Sequence, residues 1–264
     1  MLKHSVRSIW RCLVAACLVT LPAIAADLAP TGTLRATFLG NNPVQGRVDA
    51  ATGAITGPVA DLVKELARRL NVPYVIIPAP DARGVMDRLK AHTADIGFLA
   101  YDLERAAEVD YSEGYALMYN GYVVRADSEI QKSADADRAG MRIGAVKGQT
   151  QELYLSANLK NGRVQAFPIK PAATELEKLL LSGEIDAYAA NRQDVEQAAA
   201  QSPKLRVLPD NFLAVEQAIV IDKGDRSRLD PINRFLEDVR ASGFVKASLD
   251  RAKIAGVGVA PAKR

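Results

Sequence analysis

The chain has 264 residues, 48% hydrophobic and 25% charged, a globular composition that excludes a collagenous, low-complexity or wholly disordered protein. Its formal charge of +3 would suggest a nucleic-acid partner, but the excess sits at Lys3, Arg7 and Arg11, near the N-terminus. Residues 1–25 hold no acid, so the remainder carries 31 cationic against 31 acidic side chains, without the basic excess that nucleic acid requires.

The apolar run from Cys12 to Ala26 follows that basic start and contains Ala23-Ile24-Ala25, a small-x-small pattern that signal peptidases cleave. Residues 1–25 therefore read as a secretory signal peptide. An anchor helix is the alternative, but the run of ~15 residues falls short of the ~20 that span a bilayer. Val14-Ala15-Ala16-Cys17 resembles a lipoprotein box, yet Arg11 leaves almost no apolar stretch ahead of it. Cleavage would remove both cysteines, Trp10 and His4, leaving His92 as the one histidine. Thiol nucleophiles, disulfides, cysteine zinc sites and multi-histidine metal sites are then excluded, and neither metal nor cofactor is expected. His92 follows Val85 and Leu89 at helical spacing and reads as the close of a helix rather than as part of a hydrolase triad.

Leu34 to Phe38 reads as a first strand, followed by a loop with Gly40, Asn41, Asn42, Pro43 and Gly46. Pro58 opens a helix whose stripe is Val59, Leu62, Val63, Leu66, Ala67 and Leu70, ended by Asn71 and Pro73. Strand 74–77, helix 81–91 and strand 95–100 complete a β-α-β-α-β alternation, which argues for a parallel sheet with covering helices. A strand at 119–124 follows, then a polar passage at 127–140. The pattern restarts with strand 142–146, helix 151–159, strand 163–167, helix 173–182 and strand 185–190. Residues 207–209 are a weak strand and 214–221 a long apolar one. Asp230-Pro231 supplies an N-cap and an N1 proline for a helix with stripe Ile232, Phe235, Leu236 and Val239, and a short helix spans 244–251. The expected organisation is a signal peptide at 1–25, a discontinuous first lobe at 26–124 plus 218–254, a second lobe at 125–217, and a flexible tail at 255–264. Two α/β lobes joined by two crossings, near 123–125 and 218–221, enclose a cleft of the kind where small ligands bind and about which lobes close.

Several segments carry a resemblance. Glu104-Arg105-Ala106-Ala107-Glu108-Val109-Asp110-Tyr111-Ser112-Glu113-Gly114-Tyr115 is similar to an "E-R-x-x-x-V-D-F-S-x-P-Y" pattern. Leu34-Arg35-Ala36-Thr37, Thr56-Gly57 with its helix, Asp95-Ile96-Gly97-Phe98-Leu99-Ala100, Gly148-Gln149-Thr150 and Gly183-Glu184-Ile185-Asp186-Ala187 match further patterns of the same family. Across residues 32–251 the chain resembles the periplasmic solute-binding proteins of polar-amino-acid ABC importers, extracellular solute-binding protein family 3. The resemblance implies an α/β, two-lobed periplasmic-binding-protein-like fold with two hinge crossings. It also implies a monomer in the periplasm that captures a small carboxylate-bearing solute and delivers it to an ABC permease in the inner membrane. No catalysis is expected. The same fold resembles periplasmic cyclohexadienyl dehydratases, and a sensor-associated binding protein needs no different sequence; both are alternatives.

By that resemblance Arg105 grips the ligand's carboxylate with two parallel hydrogen bonds, a geometry that a planar guanidinium suits. Asp102 can cap the turn that carries it, whereas a solvated Arg105 paired with Glu108 is the competing reading. Gln149 and Thr150 lie between a strand and a helix start, where backbone N–H groups favour an anion, and Thr150 is equally an N-cap. Ala100, Phe38 and Asn41 fall where the family contacts its ligand, with Phe38 as readily a core residue. Asn191 stands where the family places an amine-binding Asp, and Arg192 follows it. The segment before Arg105 is shortened, and a hydroxyl ligand is lost. These departures point to a carboxylate without an obligatory α-amine, with a dicarboxylate allowed if Arg192 enters the pocket rather than pairing with Asp194 or Glu196.

Overall fold

The computed structural model describes residues 27–40, 42 and 44–262. The segment read as a signal peptide lies outside them, as does Asn41. The first lobe is built on β1 (Leu34–Leu39), β4 (Tyr74–Ala79) and β5 (Ile96–Ala100), all parallel, with β11 (Leu213–Asp222) and the first part of β6 (Val109–Arg125) added antiparallel. A hairpin of β2 (Arg47–Val48) and β3 (Ile55–Thr56) stands apart from that sheet. Three long helices, α1 (Pro58–Leu70), α6 (Leu229–Ala241) and α7 (Phe244–Ala252), cover one face through Val59, Leu62, Leu66, Ile232, Leu236 and Val245. The other face is closed by α2 (Ala82–Lys90), whose Val85, Met86 and Leu89 pack on Leu99 and Val220. Burial on both faces is why β5 is nearly continuously apolar rather than alternating. His92 follows the end of α2 in the left-handed region at φ 51, consistent with its reading as a helix terminus.

The second lobe repeats the plan. Parallel β8 (Arg163–Phe167), β7 (Arg142–Val146) and β9 (Ala187–Asn191) lie in the order β8-β7-β9, as β4-β1-β5 do in the first lobe. Helices α3 (Thr150–Asn158), α4 (Ala173–Leu181) and α5 (Arg192–Ala200) flank them. The same ion pair locks both repeats. Arg35 donates its backbone N–H and its Nε to Asp95, and Arg142 does the same to Asp186. Each aspartate thereby pins the segment leading into β5 or β9 to the head of the neighbouring strand, β1 or β7.

The lobes join differently from the expected division. β6 runs unbroken through both, pairing β11 up to Asn120 and β9 from Asn120 to Val123. Tyr122 and Val124 already belong to the second core, with Ile143, Ala145 and Ala187. Ala218 to Ile221 lie deep in the first sheet, opposite Gly97 to Leu99 or the start of β6. The crossings are therefore near Tyr119–Asn120 and at residues 208–212, between β10 (Leu205–Val207) and β11. The missed extent of β6 follows from its polar members Asp110, Ser112 and Asn120, which are buried by hydrogen bonding rather than by apolar character. Helix α5 was missed as well, because Val195 is its one buried residue. The helix expected to start at Pro231 begins two residues earlier, at Leu229, and Asp230 lies in its first turn instead of capping it. Within the described part of the tail, β12 (Val257–Val259) pairs with Ala116–Met118 of β6, and Ala260 is buried.

Candidate functional site

The expected site segments all stand at the carboxyl ends of central parallel strands: the loop after β1, Tyr101–Arg105 after β5, 147–150 after β7, and Asn191–Arg192 at the end of β9. Strand order reverses at β1 and at β7, and the carboxyl side of such a reversal leaves a crevice for a ligand. The segments meet in pairs between the lobes. Tyr101, Asp102 and Leu103 face Thr150, Leu153 and Tyr154 across a cavity of about 470 Å3, with Leu213 to Glu216 on a third side. Asn42 and Val44 meet Asn191, Arg192 and Gln193 around a smaller space of about 60 Å3. A larger hollow of about 740 Å3 lies within the first lobe, among Arg47, Asp61, Lys64, Tyr74 and Arg251, and no expected site residue lines it.

On the first-lobe wall, Arg105 opens a short 3-10 turn, Arg105–Ala107. Asp102 accepts the Arg105 backbone N–H at 3.0 Å, which is the capping role expected of it. The half-buried guanidinium donates from Nη1 to the Ala100 carbonyl at 3.4 Å, and the same carbonyl accepts the Tyr111 hydroxyl at 3.0 Å. Burial pushes the Tyr111 phenol up to about 12, against the pull of the adjacent Arg105 charge. The ring of Tyr101 meets Tyr111 edge-on at 5.1 Å, so Arg105 adjoins the cavity through Tyr101 and Asp102 without lining it. The competing pair with Glu108 does not form. Glu108 is held by Arg83 at 3.0 Å and Lys90 at 2.5 Å, and Arg105 has no ion pair among the described residues. A guanidinium has five N–H donors, so most of Arg105's are left for another acceptor.

On the second-lobe wall, Gly148 adopts φ 74, and its N–H is already taken by the Glu152 carboxylate at 3.0 Å, itself steadied by the Ser156 hydroxyl at 2.9 Å. An anion from the chain's own helix thus occupies the first position of the expected anion turn. Gln149 is the N-cap of α3 without a side-chain capping bond, and Thr150 is its first helical residue; both are exposed, and Thr150 lines the cavity.

The remaining expected residues divide. Phe38 is fully buried among Leu34, Val59 and Phe98, and its ring packs against Gly46; it is a core residue with no face toward a ligand. Asn191 caps α5, accepting the Asp194 N–H at 2.9 Å and donating to the Asp194 carboxylate at 3.1 Å. Arg192 is not a free second cation. Its Nε donates to Glu196 at 2.7 Å, and its Nη1 to the carbonyls of Leu208 at 3.0 Å and Asp210 at 3.4 Å and to Asn211 Oδ1 at 3.3 Å. The guanidinium therefore brackets the second crossing. Sequence reasoning passed over Tyr101, Leu103, Leu153 and Tyr154. For the last two a signal existed, since they lie off the buried positions Gln151 and Leu155 of α3. Among the described residues no group of His, Cys, Asp and Glu is placed to hold a metal ion.

The family model described as bacterial extracellular solute-binding proteins, family 3, matches residues 35–251. No curated protein matches the chain. Among solved structures, a mutant of ArgBP from T. maritima is 24% identical, covering 86% of this chain and 98% of that one with a TM-score of 0.57. An amino acid ABC transporter substrate-binding protein from Streptococcus pneumoniae, bound to L-arginine, is 21% identical over 85% of this chain and 96% of that one, with a TM-score of 0.58. An ancestral cyclohexadienyl dehydratase is 24% identical over 86% and 95%, with a TM-score of 0.56. Likeness at these identities establishes the two-lobed fold and leaves the ligand open.

Proposed function

This chain belongs to the bacterial extracellular solute-binding proteins, family 3, and we propose that within it the chain acts in the periplasm, capturing a small carboxylate-bearing solute between its lobes for an ABC permease. The observation that carries this reading is the Arg105 guanidinium. Its backbone N–H is held by Asp102, its guanidinium donates to the Ala100 carbonyl at 3.4 Å and has no ion pair among the described residues, and it adjoins the cavity where the two lobes face each other. A carboxylate arriving there meets a preoriented planar donor, and each charge-assisted hydrogen bond is worth ~1.5–3 kcal/mol. Thr150 and the first turn of α3 approach the same solute from the second lobe. The amine-binding role of Asn191 is given up, because its amide is spent on Asp194. A second carboxylate finds no partner in Arg192, so the dicarboxylate reading loses its support.

Thermal-shift screening against amino acids, keto acids and dicarboxylates tests the proposal, since a ligand that binds the folded state alone raises the melting temperature. The expected hit carries one carboxylate and is lost in Arg105→Ala. A hit that stabilises wild type and Arg105→Ala equally would overturn the site. Including prephenate separates the enzyme alternative, which requires turnover rather than a shift.

A further inference from the structure

We infer that the solute is a monocarboxylate with an uncharged, apolar body, aromatic or branched aliphatic, rather than a cationic or dicarboxylic one; this rests on the carboxylate reading of Arg105 above. The large apolar side chains left exposed among the described residues are not scattered evenly. Four of them, Tyr101 at 46%, Leu103 at 78%, Leu153 at 57% and Tyr154 at 36% exposure, line the larger cavity between the lobes, two from each side, whereas Tyr74 and Val75 line the hollow of the first lobe and Val48, Ile169 and Leu181 lie elsewhere. Single exposed apolar residues need no explanation, but a facing set across a gap marks a surface that awaits apolar contact. The same cavity, about 470 Å3, is of the size that holds a small metabolite.

Charge at the rim argues the same way. Arg192 is consumed by Glu196 and by the carbonyls of the second crossing, and among the described residues no cation lines the cavity, so a second acid group inside it would lack one. Lys170 is paired with Asp194 at 2.6 Å, and Asp194 also holds Asn191. A cationic side chain would enter among two leucines and two tyrosines, and the two acids that line the cavity are already engaged: Asp102 accepts the Arg105 backbone N–H, and Glu216 has a partner of its own. Placing either kind of second charge among these side chains costs desolvation that an apolar body avoids. A phenyl or branched alkyl group would instead stack between Tyr101 and Tyr154 and cover Leu103 and Leu153 as the lobes approach.

Isothermal titration calorimetry on the purified protein tests this with four probes: 3-phenylpropionate and L-phenylalanine against succinate and L-arginine. The tighter of the first two is expected to bind at least tenfold better than either of the second. Leu103→Ala and Leu153→Ala remove exposed side chains, so folding is retained, and each should weaken the phenyl ligand roughly tenfold and succinate or L-arginine by less. Tighter binding of L-arginine or succinate, abolished by Arg105→Ala, would overturn the apolar assignment and leave the carboxylate site standing. Equal weakening of all probes by the leucine variants would also overturn it, because the lips would then serve lobe closure alone. Binding of none of the four, or binding indifferent to Arg105→Ala, would refute the carboxylate site itself.

Discussion

Replacing Asp95 by alanine should cost far more stability than replacing Asp186, although the two residues perform the same task in the two lobes. Asp95 is 2% exposed and takes three bonds from Arg35: the backbone N–H at 2.8 Å, Nε at 3.1 Å and Nη2 at 2.5 Å. Its loss leaves a backbone N–H and a guanidinium without their acceptor at the edge of the core. Breaking a buried pair costs ~3–5 kcal/mol, and because the Arg35 side chain is 22% exposed and can partly rehydrate, the lower end, about 3 kcal/mol, applies. Asp186 is 30% exposed, and its Arg142 contact is longer, at 3.4 Å. Arg142 also donates to the Gly183 carbonyl, so it keeps a partner when the acid is gone. About 1 kcal/mol is expected there, near the upper end for exposed pairs. Urea unfolding followed by circular dichroism checks the pair of variants, with the midpoint shift for Asp95→Ala about three times that for Asp186→Ala at unchanged slope. Equal shifts, or a larger one for Asp186→Ala, would refute the argument that burial rather than connectivity sets the value of this repeated pair.

Asn120 is fully buried and accepts the Gln151 amide at 2.6 Å, so Asn120→Leu should destabilise by about 2 kcal/mol in urea unfolding, while adding Gln151→Leu recovers part of the loss by removing the orphaned donor. Gly256 sits at φ 70, and a Cβ there would stand 2.1 Å from that of Arg192, so Gly256→Ala should cost roughly 1–3 kcal/mol and speed hydrogen exchange in β12. The hydrogen bond from Arg68, with a second from Arg69, holds the Glu65 carboxyl at about 2, below its ordinary 4.5. A depressed folded-state pKa contributes stability above the unfolded value and loses it as the acid protonates. Wild type should therefore exceed Glu65→Gln by up to about 1 kcal/mol at neutral pH, with the difference vanishing between pH 4.5 and about 2 in melting experiments.

The repeated βαβαβ plan was legible because parallel strands buried on both faces, such as 96–100, and amphipathic helices, such as 58–70, carry strong local patterns. The turn around Arg105 was legible through its capping aspartate, and the structure adds the reason Arg105 is free: its sequence neighbour Glu108 is claimed by Arg83 and Lys90 from another element. That competition is long-range and leaves no trace at the i, i+3 spacing. Half of the fate of Arg192 was legible, since Glu196 at i+4 was one of the partners the sequence offered; the other half was hidden, because the remaining acceptors include the backbone carbonyls of 208 and 210 that every sequence possesses. Phe38 alternates correctly for a strand, but whether an aromatic at a strand end turns to the core or to the gap depends on Gly46 arriving beside its ring. Gly and Ala richness by itself marks loose chain, whereas at Gly256 and Gly258 small residues allow close approach to Arg192 and β6.

The junction itself restricts how the lobes can move. β6 is continuous, and along one of its edges the chain from β10 to β11 stays attached through Leu208 N–H to Tyr122 O and Phe212 N–H to Asn120 O, both at 3.0 Å. On the other edge β9 ends opposite Asn120 and β12 begins opposite Met118, so the lobes abut there without a covalent link. Sliding one lobe along the other would break the Phe212 bond. A twist of β6 about Tyr119–Asn120 would conserve the first edge and load the second, where Gly256 presses on Arg192. Arg192 moves with the second lobe and with residues 208–211, which it grips. The arginine that the sequence offered to the ligand is thus better placed to couple the two crossings, and the selectivity of the gap falls to Arg105 and the apolar side chains around it.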